Sequence, residues 1–366
     1  MALTVAGLAI AMVSAGVGGV AVAVDPYHSP HTATASAAPA ASEPAANVSG
    51  GSVEQVAAKV LPTVVALQID AGNMAYKGSG VILTADGLIM TNAHVVAAAA
   101  SANPATPGGA GSTVTFADGR TTPFTVVAAD PITDVAVVRA QGISGLTPIT
   151  LGTSGNLRVG QPVMAVGSPL GLDGTVTTGI ISALHRPVAT MNDTANQGAT
   201  LDAIQTDAPM NPGNSGGALV NMNGQLIGMN SAMATVGGGS PGAETGSIGL
   251  GFSIPVDQAT RVADELIATG KASHASLGVQ VANTTNTPGA RIIGVTNGGA
   301  AAAAGLPVGA VVTRIDDQVI DSADALGAAV LSHPPADTVS VSYIAASGDT
   351  RTTHVTLGTD GEHQSS

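Results

Sequence analysis

Three side chains in this sequence could together activate a hydroxyl for attack on a carbonyl carbon. Ser215 lies in the stretch NPGNSGG, where glycine, proline and asparagine surround a single hydroxyl. These are common turn-forming residues, so a surface turn is one interpretation of the stretch. The other interpretation is a nucleophile whose neighbours lack side chains, so that a substrate carbonyl can reach bare backbone N–H groups. The stretch alone does not decide between them.

A serine nucleophile requires a neighbouring base, and the base requires an orienting acid. His94, in TNAHVV, follows a β-type run and could lie at a strand end that faces a cleft. Asp134, in DPITDVAVV, precedes an apolar strand, where a partly buried carboxylate needs a hydrogen-bonded partner such as an imidazole N–H. Asp130 is the rival acid, but it precedes Pro131 and is more typical of a turn. The order His, Asp, Ser matches one known linear arrangement of the catalytic triad.

The segments that must position these side chains are short β-type runs separated by turn signals such as ADG, MNG and LDG. The runs include GLIMTNAHVV and continue to GFSIP without alternating long helices, which favours an all-β barrel or sandwich. A helix in VDQATRVADELIATG, ending at Gly270, would close a first domain over 53–270. The pattern over 275–358 predicts a second, α+β domain.

Composition limits the classes of function. Apolar residues make up 45% of the 366 positions and charged residues 10%, so the chain can bury a sizeable core. The formal net charge of −13 and the lack of any Lys/Arg cluster argue against a nucleic-acid partner. The absence of cysteine excludes disulfides, a cysteine nucleophile and thiolate metal sites.

The two ends of the chain have a different character from the rest. Residues 3–24 carry no charge and are long enough to cross a hydrocarbon layer of about 30 Å. Segment 1–24 is therefore interpreted as a signal peptide or a membrane anchor, and both place the remaining chain outside the cytoplasm. A buried helix is the alternative. Residues 25–52, rich in Ala, Pro and Ser, predict a disordered tether, and 359–366 predict a frayed tail.

Five motifs, in this order along the chain, resemble those of the HtrA/DegP serine proteases: TNAHVV, DPITDVAVV, VGSPLGLDGTVTTGIISAL, IQTDAPMNPGNSGGALV and GFSIP. Members of that family are chymotrypsin-like double β-barrels followed by PDZ domains. The resemblance runs from about Val53 to Gly358. It implies that His94 is the general base, Asp134 its orienting acid and Ser215 the nucleophile that forms an acyl-enzyme.

The resemblance also implies an oxyanion hole in the segment Gly213, Asn214, Ser215, where the first and third residues supply backbone N–H groups. Asn214 stands where trypsin-like zymogens carry the acid that pairs with a new N-terminus, so activation by N-terminal cleavage is not expected. Ala218 replaces the proline that usually follows GNSGG. In place of activation by N-terminal cleavage, the resemblance implies that regulation acts through loop rearrangement.

Three glycine-rich or polar stretches are candidate moving loops, at 167–175, 186–200 and 231–247. Plain surface loops are the alternative.

Substrate contacts follow from the same resemblance. The stretch LIGMNSA resembles the strand that pairs with substrate backbone, which makes Ser231 a candidate contact. The primary specificity pocket is expected between Pro209–Met210 and the strand Leu250–Phe252. No acid stands at its expected base, so the sequence predicts a small or medium apolar side chain before the scissile bond, not Arg or Lys.

The second domain resembles a PDZ domain. In SLGV, the backbone N–H groups of Leu277, Gly278 and Val279 would bind a peptide carboxylate, and the peptide would add as a strand beside VQVA. The helix at Ala323–Leu331 would form a wall of the groove, and Ala310 replaces the usual Asp. A β-rich domain without peptide affinity is the alternative.

The sequence therefore predicts an ATP-independent, extracytoplasmic serine endopeptidase of protein quality control that cleaves unfolded or damaged proteins. The resemblance implies a homotrimer, and neither metal nor cofactor is expected.

Two other functions are alternatives. GNSGG also fits the G-x-S-x-G elbow of lipases and esterases, but a hairpin-like stretch follows Ser215, and both His94 and Asp134 precede it. A non-catalytic chaperone or PDZ peptide-binding scaffold remains as an alternative.

Overall fold

The computed structural model describes residues 51–71, 74–101, 111–168, 174–189, 200–231, 249–285 and 287–360. The predicted signal peptide or anchor, nearly all of the tether and the central parts of the three candidate loops lie outside these ranges. Within them, no helix combines the length and apolar character that a membrane crossing needs.

A first β-barrel contains six antiparallel strands in the spatial order 1-2-3-6-5-4. The strands are β1 (Val64–Ala71), β2 (Met74–Ile82), β3 (Leu88–Thr91), β4 (Gly111–Thr115), β5 (Thr121–Asp130) and β6 (Val135–Ala140). The ring closes because β1 pairs with both β2 and β4.

A second barrel follows. Its strands are β7 (Thr150–Leu151), β8 (Pro162–Gly167), β9 (Thr175–Ala189), β10 (Thr200–Thr206), β11 (Ala218–Asn221), β12 (Gln225–Ser231) and β13 (Gly251–Pro255). They lie in the order β11-β8-β9-β10-β13-β12, and a further pairing of β11 with β12 closes the ring. The short β7 adds parallel to β12.

Strand β6 has its first four residues fully buried, because the two faces of the strand serve different cores. Ala136 and Val138 pack inside the first barrel. Val135 and Val137 face the opposite way, as the two-residue period of a strand requires, into a core shared by both barrels. Asp134 directly precedes this strand, so the Asp134 backbone continues into a segment whose two faces are both buried.

In the described residues, three α-helices accompany the barrels: α1 (Val53–Val60), α2 (Ala93–Ser101) and α3 (Val256–Thr269). A short 3-10 helix (Leu61–Thr63) follows α1. Ser52 and Gln55 form a capping box at the start of α1. The backbone N–H of Gly51 also donates to Met222 at 3.0 Å. These contacts correct the end of the predicted tether, since 51–52 belong to the folded unit.

Helix α2 corrects the interpretation of GLIMTNAHVV as a β-type run throughout. Only the part through Thr91 is strand, and His94 lies in the first helical turn. A physical reason is the following run of alanines, the residue with the highest helix propensity. Helix α3 ends as predicted at Gly270, which has a left-handed φ of 75°.

The C-terminal domain is α+β, as predicted. Its elements are β14 (Ala275–Ser276), β15 (Val279–Asn283), β16 (Ala290–Val295), α4 (Ala300–Ala303), β17 (Val311–Ile315), β18 (Gln318–Val319), α5 (Ala323–Ser332), β19 (Thr338–Ile344), β20 (Thr350–Thr356) and β21 (Gly358–Thr359). The main sheet has the order β15-β16-β17-β19-β20, so β15 is an edge strand. The fold class expected from the sequence is thus confirmed.

Candidate active site

The imidazole of His94 and the carboxylate of Asp134 are in direct contact. Nδ1 of His94 lies 2.9 Å from each carboxylate oxygen, and the His94 backbone N–H donates to Oδ1 at 3.1 Å. The aspartate is 5% exposed, whereas the histidine side chain keeps 19% of its surface accessible. A buried carboxylate thus orients an imidazole that a substrate can still reach, which is the arrangement of a general base and its supporting acid.

Backbone contacts fix Asp134 in an uncommon conformation. Its φ of 56° lies in the left-handed region, which few residues other than glycine adopt. Its carbonyl accepts hydrogen bonds from Ala93 N–H at 3.2 Å and from Nδ2 of Asn92 at 3.0 Å. The segment before His94 and the turn at Asp134 are therefore tied together by backbone as well as by side chains. Strained backbone of this kind is found preferentially at functional sites.

Ser215 lies in the loop between β10 and β11 and is 6% exposed. Its carbonyl accepts the Ser79 N–H at 2.8 Å. A Cβ placed on Gly78 would be 2.6 Å from Cγ1 of Val95 and 3.3 Å from the Ser215 carbonyl oxygen. The residue after His94 and the backbone of Ser215 therefore flank the same glycine of β2, which brings the serine loop beside the start of α2.

Ser79 of β2 links the two halves of the site, although the sequence analysis did not single it out. Its Oγ donates to the Gly213 carbonyl at 2.6 Å and accepts the Ser168 N–H at 2.8 Å. Its carbonyl accepts from Oγ1 of Thr91 at 2.7 Å. The sequence signal that could have identified Ser79 is the stretch Gly-Ser-Gly inside a strand, since glycine in a strand often marks a place where another backbone approaches closely.

The glycines after Ser215 are required by contacts within the protein. A Cβ on Gly216 would collide with the carbonyl oxygen of Ser79 and with Oγ1 of Thr91, and one on Gly217 would collide with the Val166 carbonyl. The interpretation that the glycines leave room for a substrate carbonyl therefore does not account for Gly216 and Gly217, which leave room for other parts of the protein. Gly213 differs, because its N–H donates to no other residue of the described chain.

Asn230 on β12 supports the same loop. It is fully buried, and its backbone accepts from Gly216 N–H and donates to the Gly217 carbonyl, both at 2.9 Å. Its side chain donates to the Ala218 carbonyl and accepts from Ser253 Oγ, both at 3.0 Å. The sequence analysis missed this residue because its role depends on which strands are neighbours.

Asn214 is 1% exposed and packs against Gly167, at the start of a candidate loop. Its Oδ1 accepts no hydrogen bond from the residues that the structure describes. Among the same residues there is no group of three or more histidine and carboxylate side chains placed to hold a metal ion.

The residues expected around the specificity pocket come together at β13. A Cβ on Gly251 would lie 3.0 Å from Sδ of Met210, so the methionine covers that strand. Met210 and Phe252 are buried, Pro209 is exposed, and Leu250 is partly exposed. Ser231 is the last residue of β12 and pairs with Phe252.

Asp130 is a turn former, as the sequence predicts, and it has a second contact that the sequence did not show. Its carboxylate accepts from the N–H groups of Ile132 at 3.3 Å and Thr133 at 3.2 Å, and from the Thr133 hydroxyl. Nε2 of His274 lies 2.9 Å from its Oδ2. Burial alone would raise the pKa of Asp130, but these hydrogen bonds outweigh it and hold the pKa below its ordinary value.

In the C-terminal domain, the three residues expected to bind a carboxylate form a turn into the edge strand β15. Leu277 is buried, and Gly278 has a left-handed φ of 70°. The Gly278 N–H is already in contact with Oγ of Ser276 at 3.3 Å. Val279 is the first residue of β15 and faces helix α5 across a groove that they share.

Comparison with known proteins agrees with this description. Residues 78–229 match the model of the trypsin-like peptidase domain, and 275–357 match that of the PDZ domain.

The chain is 61% identical to serine protease PepD of Mycobacterium tuberculosis over 360 residues, which are 97% of this chain and 77% of that protein. It is 39% identical to a probable periplasmic serine endoprotease, DegP-like, of Halomonas elongata, covering 77% of this chain and 56% of that protein.

Among solved structures, the HtrA-type protease AlgW with a tripeptide matches with a TM-score of 0.59 and 34% identity, covering 84% of this chain and 96% of that one. The chain therefore belongs to the HtrA/DegP family of serine proteases, and it is a serine endopeptidase with a PDZ domain.

Proposed function

We propose that His94, Asp134 and Ser215 are the catalytic triad of this endopeptidase. The observation that carries the proposal is the short double contact between Nδ1 of His94 and the buried Asp134 carboxylate. In this role His94 takes the Ser215 proton as the hydroxyl attacks the scissile carbonyl, and Asp134 stabilises the imidazolium. The imidazolium then protonates the leaving amine, and water hydrolyses the acyl-enzyme by the same route.

The oxyanion hole is proposed at the backbone N–H groups of Gly213 and Ser215, with Asn214 between them. Support comes from the Gly213 N–H, which has no acceptor among the described residues, and from the Ser79 hydroxyl bonded to the carbonyl of the same glycine. Donors that are held in place before reaction stabilise a developing oxyanion without reorganisation.

The substrates proposed are unfolded or damaged proteins, cleaved without ATP after a small or medium apolar side chain. Met210 and Phe252 give the expected pocket an apolar lining, and Ser231 ends the strand expected to pair with substrate. Peptide C-termini are the proposed ligands of the PDZ domain, at the turn of Leu277, Gly278 and Val279.

An extracytoplasmic role in protein quality control is proposed from the periplasmic relatives, with residues 3–24 as anchor or cleaved signal. The active assembly is proposed to be a homotrimer, and sedimentation at several concentrations tests it: a monomer throughout would contradict it.

The triad is tested by labelling the full chain with a fluorophosphonate and mapping the modified residue by mass spectrometry. Label on Ser215, lost in Ser215→Ala and strongly reduced in His94→Ala, is the expected result. His354→Ala is the matched control, because His354 is an exposed histidine of β20. Of these four proteins, only the wild type and His354→Ala should cleave unfolded casein. Undiminished casein cleavage by Ser215→Ala would remove Ser215 from the mechanism.

A further inference from the structure

The chain leaves the ladder of the second barrel just before the proposed specificity pocket. Thr206 is the last residue of β10, and it pairs with Ile181 of β9 on one side and with Gly251 of β13 on the other. The next four residues, 207–210, belong to no strand and include Pro209–Met210, one wall of the expected pocket. Strand pairing therefore does not hold this wall, and other contacts must position it.

Strand β9 continues to hold the segment beyond the end of the ladder. Oγ1 of Thr177 donates to the Pro209 carbonyl at 2.9 Å. The backbone N–H of Ile180 donates to Oδ1 of Asp207 at 2.7 Å, and the Ile180 carbonyl accepts from Oγ1 of Thr206 at 2.7 Å. Hydrogen bonds that each involve one side chain thus take the place of backbone pairing along this part of β9.

Two glycines show how closely the segment packs between its neighbouring strands. A Cβ on Gly179 of β9 would collide with Oδ1 of Asp207 and with the backbone nitrogen of Ala208. A Cβ on Gly251 of β13 would lie 3.1 Å from the Ala208 carbonyl oxygen and 3.0 Å from Sδ of Met210. Glycine in a strand often marks such a close approach of another backbone. The segment therefore takes its position because neither strand carries a side chain at these two points.

Polar and apolar groups of the segment are turned towards different strands. β9 and β13 lie on opposite sides of β10. The Pro209 carbonyl and the Asp207 carboxylate are bonded on the β9 side. The Met210 side chain packs against Gly251 on the β13 side, where the proposed pocket lies beside the buried Phe252. The pocket thus receives a thioether and not the two oxygen acceptors, which suits an apolar substrate side chain.

We propose that Thr177 and Asp207 are positioning residues for substrate specificity, which hold the segment 207–210 against β9 and so set the width and polarity of the pocket for the side chain before the scissile bond. The inference rests on the specificity pocket proposed above. Both residues act on substrate through the backbone of the segment. Their loss should therefore change which substrate is preferred and leave the reactivity of the Ser215 hydroxyl unchanged.

The test uses the full chain and peptide p-nitroanilides that differ only in the residue before the scissile bond, which is Ala, Val, Leu, Phe or Lys. Thr177→Val removes the hydroxyl and keeps the shape of the side chain, and Thr177→Ser keeps the donor. Thr178→Val is the matched control, because Thr178 is the exposed next residue of β9 and its hydroxyl has no partner among the described residues.

A second pair of variants tests the carboxylate. Asp207→Ala removes the acceptor of the Ile180 N–H, and Asp207→Asn keeps an acceptor without the charge. The rate of fluorophosphonate labelling of Ser215 is measured in parallel, because a small fluorophosphonate has no side chain that occupies the pocket. Labelling therefore reports on the nucleophile independently of the pocket.

We expect the wild type to prefer Val over Phe in kcat/KM, and Thr177→Val to reduce this ratio by about tenfold or more, as a change of one methylene group in a pocket can do. Asp207→Ala should reduce the ratio in the same direction. Thr177→Ser, Asp207→Asn and Thr178→Val should keep the wild-type ratio. The rate of Ser215 labelling should be unchanged in every variant.

Three results would overturn the inference alone. They are an unchanged ratio in Thr177→Val, an equal loss of labelling and of cleavage of all substrates in that variant, and cleavage after Lys that Asp207→Asn abolishes, since Asp207 would then recognise a cation directly. A wild type without preference among the apolar substrates would overturn the proposed pocket and this inference with it. A wild type in which Ser215 is not labelled would overturn the triad proposal and both that depend on it.

Discussion

Nε2 of His274 lies 2.9 Å from Oδ2 of Asp130, and both side chains are nearly buried, at 12% and 7% exposure. His274 directly precedes the PDZ domain, and Asp130 begins the turn that ends at Asp134. The boundary between the two domains is thus joined to the turn that ends at Asp134 by a histidine–carboxylate hydrogen bond, which becomes an ion pair when His274 is protonated. The hydrogen bond to Asp130 raises the pKa of His274 above its ordinary value, although burial opposes it.

The charge of His274 should make this contact pH-dependent. The carboxylate of Asp360 also raises the His274 pKa, whereas Arg261 lowers it. A raised histidine pKa stabilises the fold below about pH 6.5, and this contribution is lost as pH rises through the folded-state pKa. The lowered pKa of Asp130 adds stability above about pH 4 that is lost as pH falls further.

We therefore predict that His274→Gln, which keeps a neutral donor, lowers the urea midpoint most between about pH 4 and 6.5 and least at about pH 9. His354→Gln, at an exposed position, is the control. A difference from wild type that grows at alkaline pH would contradict the assignment.

Replacing Asp134, the proposed orienting acid, should disable turnover while leaving the fold intact. Asp134→Asn keeps the shape of the side chain but stabilises the wrong imidazole tautomer, so kcat should fall by about 10⁴. The measurement is cleavage of a chromogenic peptide, with the melting temperature followed in parallel. Asp118→Asn is the control, because Asp118 is exposed and its partner among the described residues is Arg120, two positions along the chain, at 2.7 Å. A loss of less than about tenfold would remove Asp134 from this role.

Two glycines have nearly equal φ angles but different surroundings. Substituting each by alanine therefore separates the free-energy cost of a steric clash from that of a left-handed backbone. Gly216 has φ 82° and Gly119 has φ 83°, but a Cβ on Gly119 would meet nothing within 4 Å. Gly119→Ala should cost about 1–2 kcal/mol for the left-handed backbone alone. Gly216→Ala should cost more in urea unfolding, and fluorophosphonate labelling of Ser215 should be lost, because the new methyl group collides with β2. Equal costs for the two variants would show that the loop yields to the methyl group.

Removing the hydroxyl of Ser79 should affect kcat more than stability. Ser79→Ala releases the Gly213 carbonyl and the Ser168 N–H, so the proposed oxyanion donors lose their support. We expect kcat to fall by about tenfold to 10²-fold, as for other small displacements of catalytic groups. Ser52→Ala is the control, since loss of this helix cap should cost about 1 kcal/mol of stability without changing kcat. Parallel losses of kcat in both variants would point to stability as the common cause.

The sequence predicted the features that depend on the chemistry of a residue and its neighbours along the chain. A carboxylate entering an apolar strand needs a partner, which led to the pairing of Asp134 with His94 that the structure shows. Asp130 forms a turn because Asp before Pro does so generally. Its contact with His274 was not predictable, because the two residues are 144 positions apart. Asn230 and Ser79 were missed for the same reason, since their partners are set by strand order. Three of the four two-residue strands, β7, β14 and β21, exist only through pairing and have no sequence signal.

Strand β6 also limits how the sequence can vary. Val135 and Val137 fill one core while Ala136 and Val138 fill another, so the strand has no solvent-facing position among these four. A polar replacement at any of them is buried in one core or the other, and a larger apolar one has no free volume to enter. The residues that directly follow Asp134 should consequently be among the least tolerant to substitution in a mutational scan of the chain.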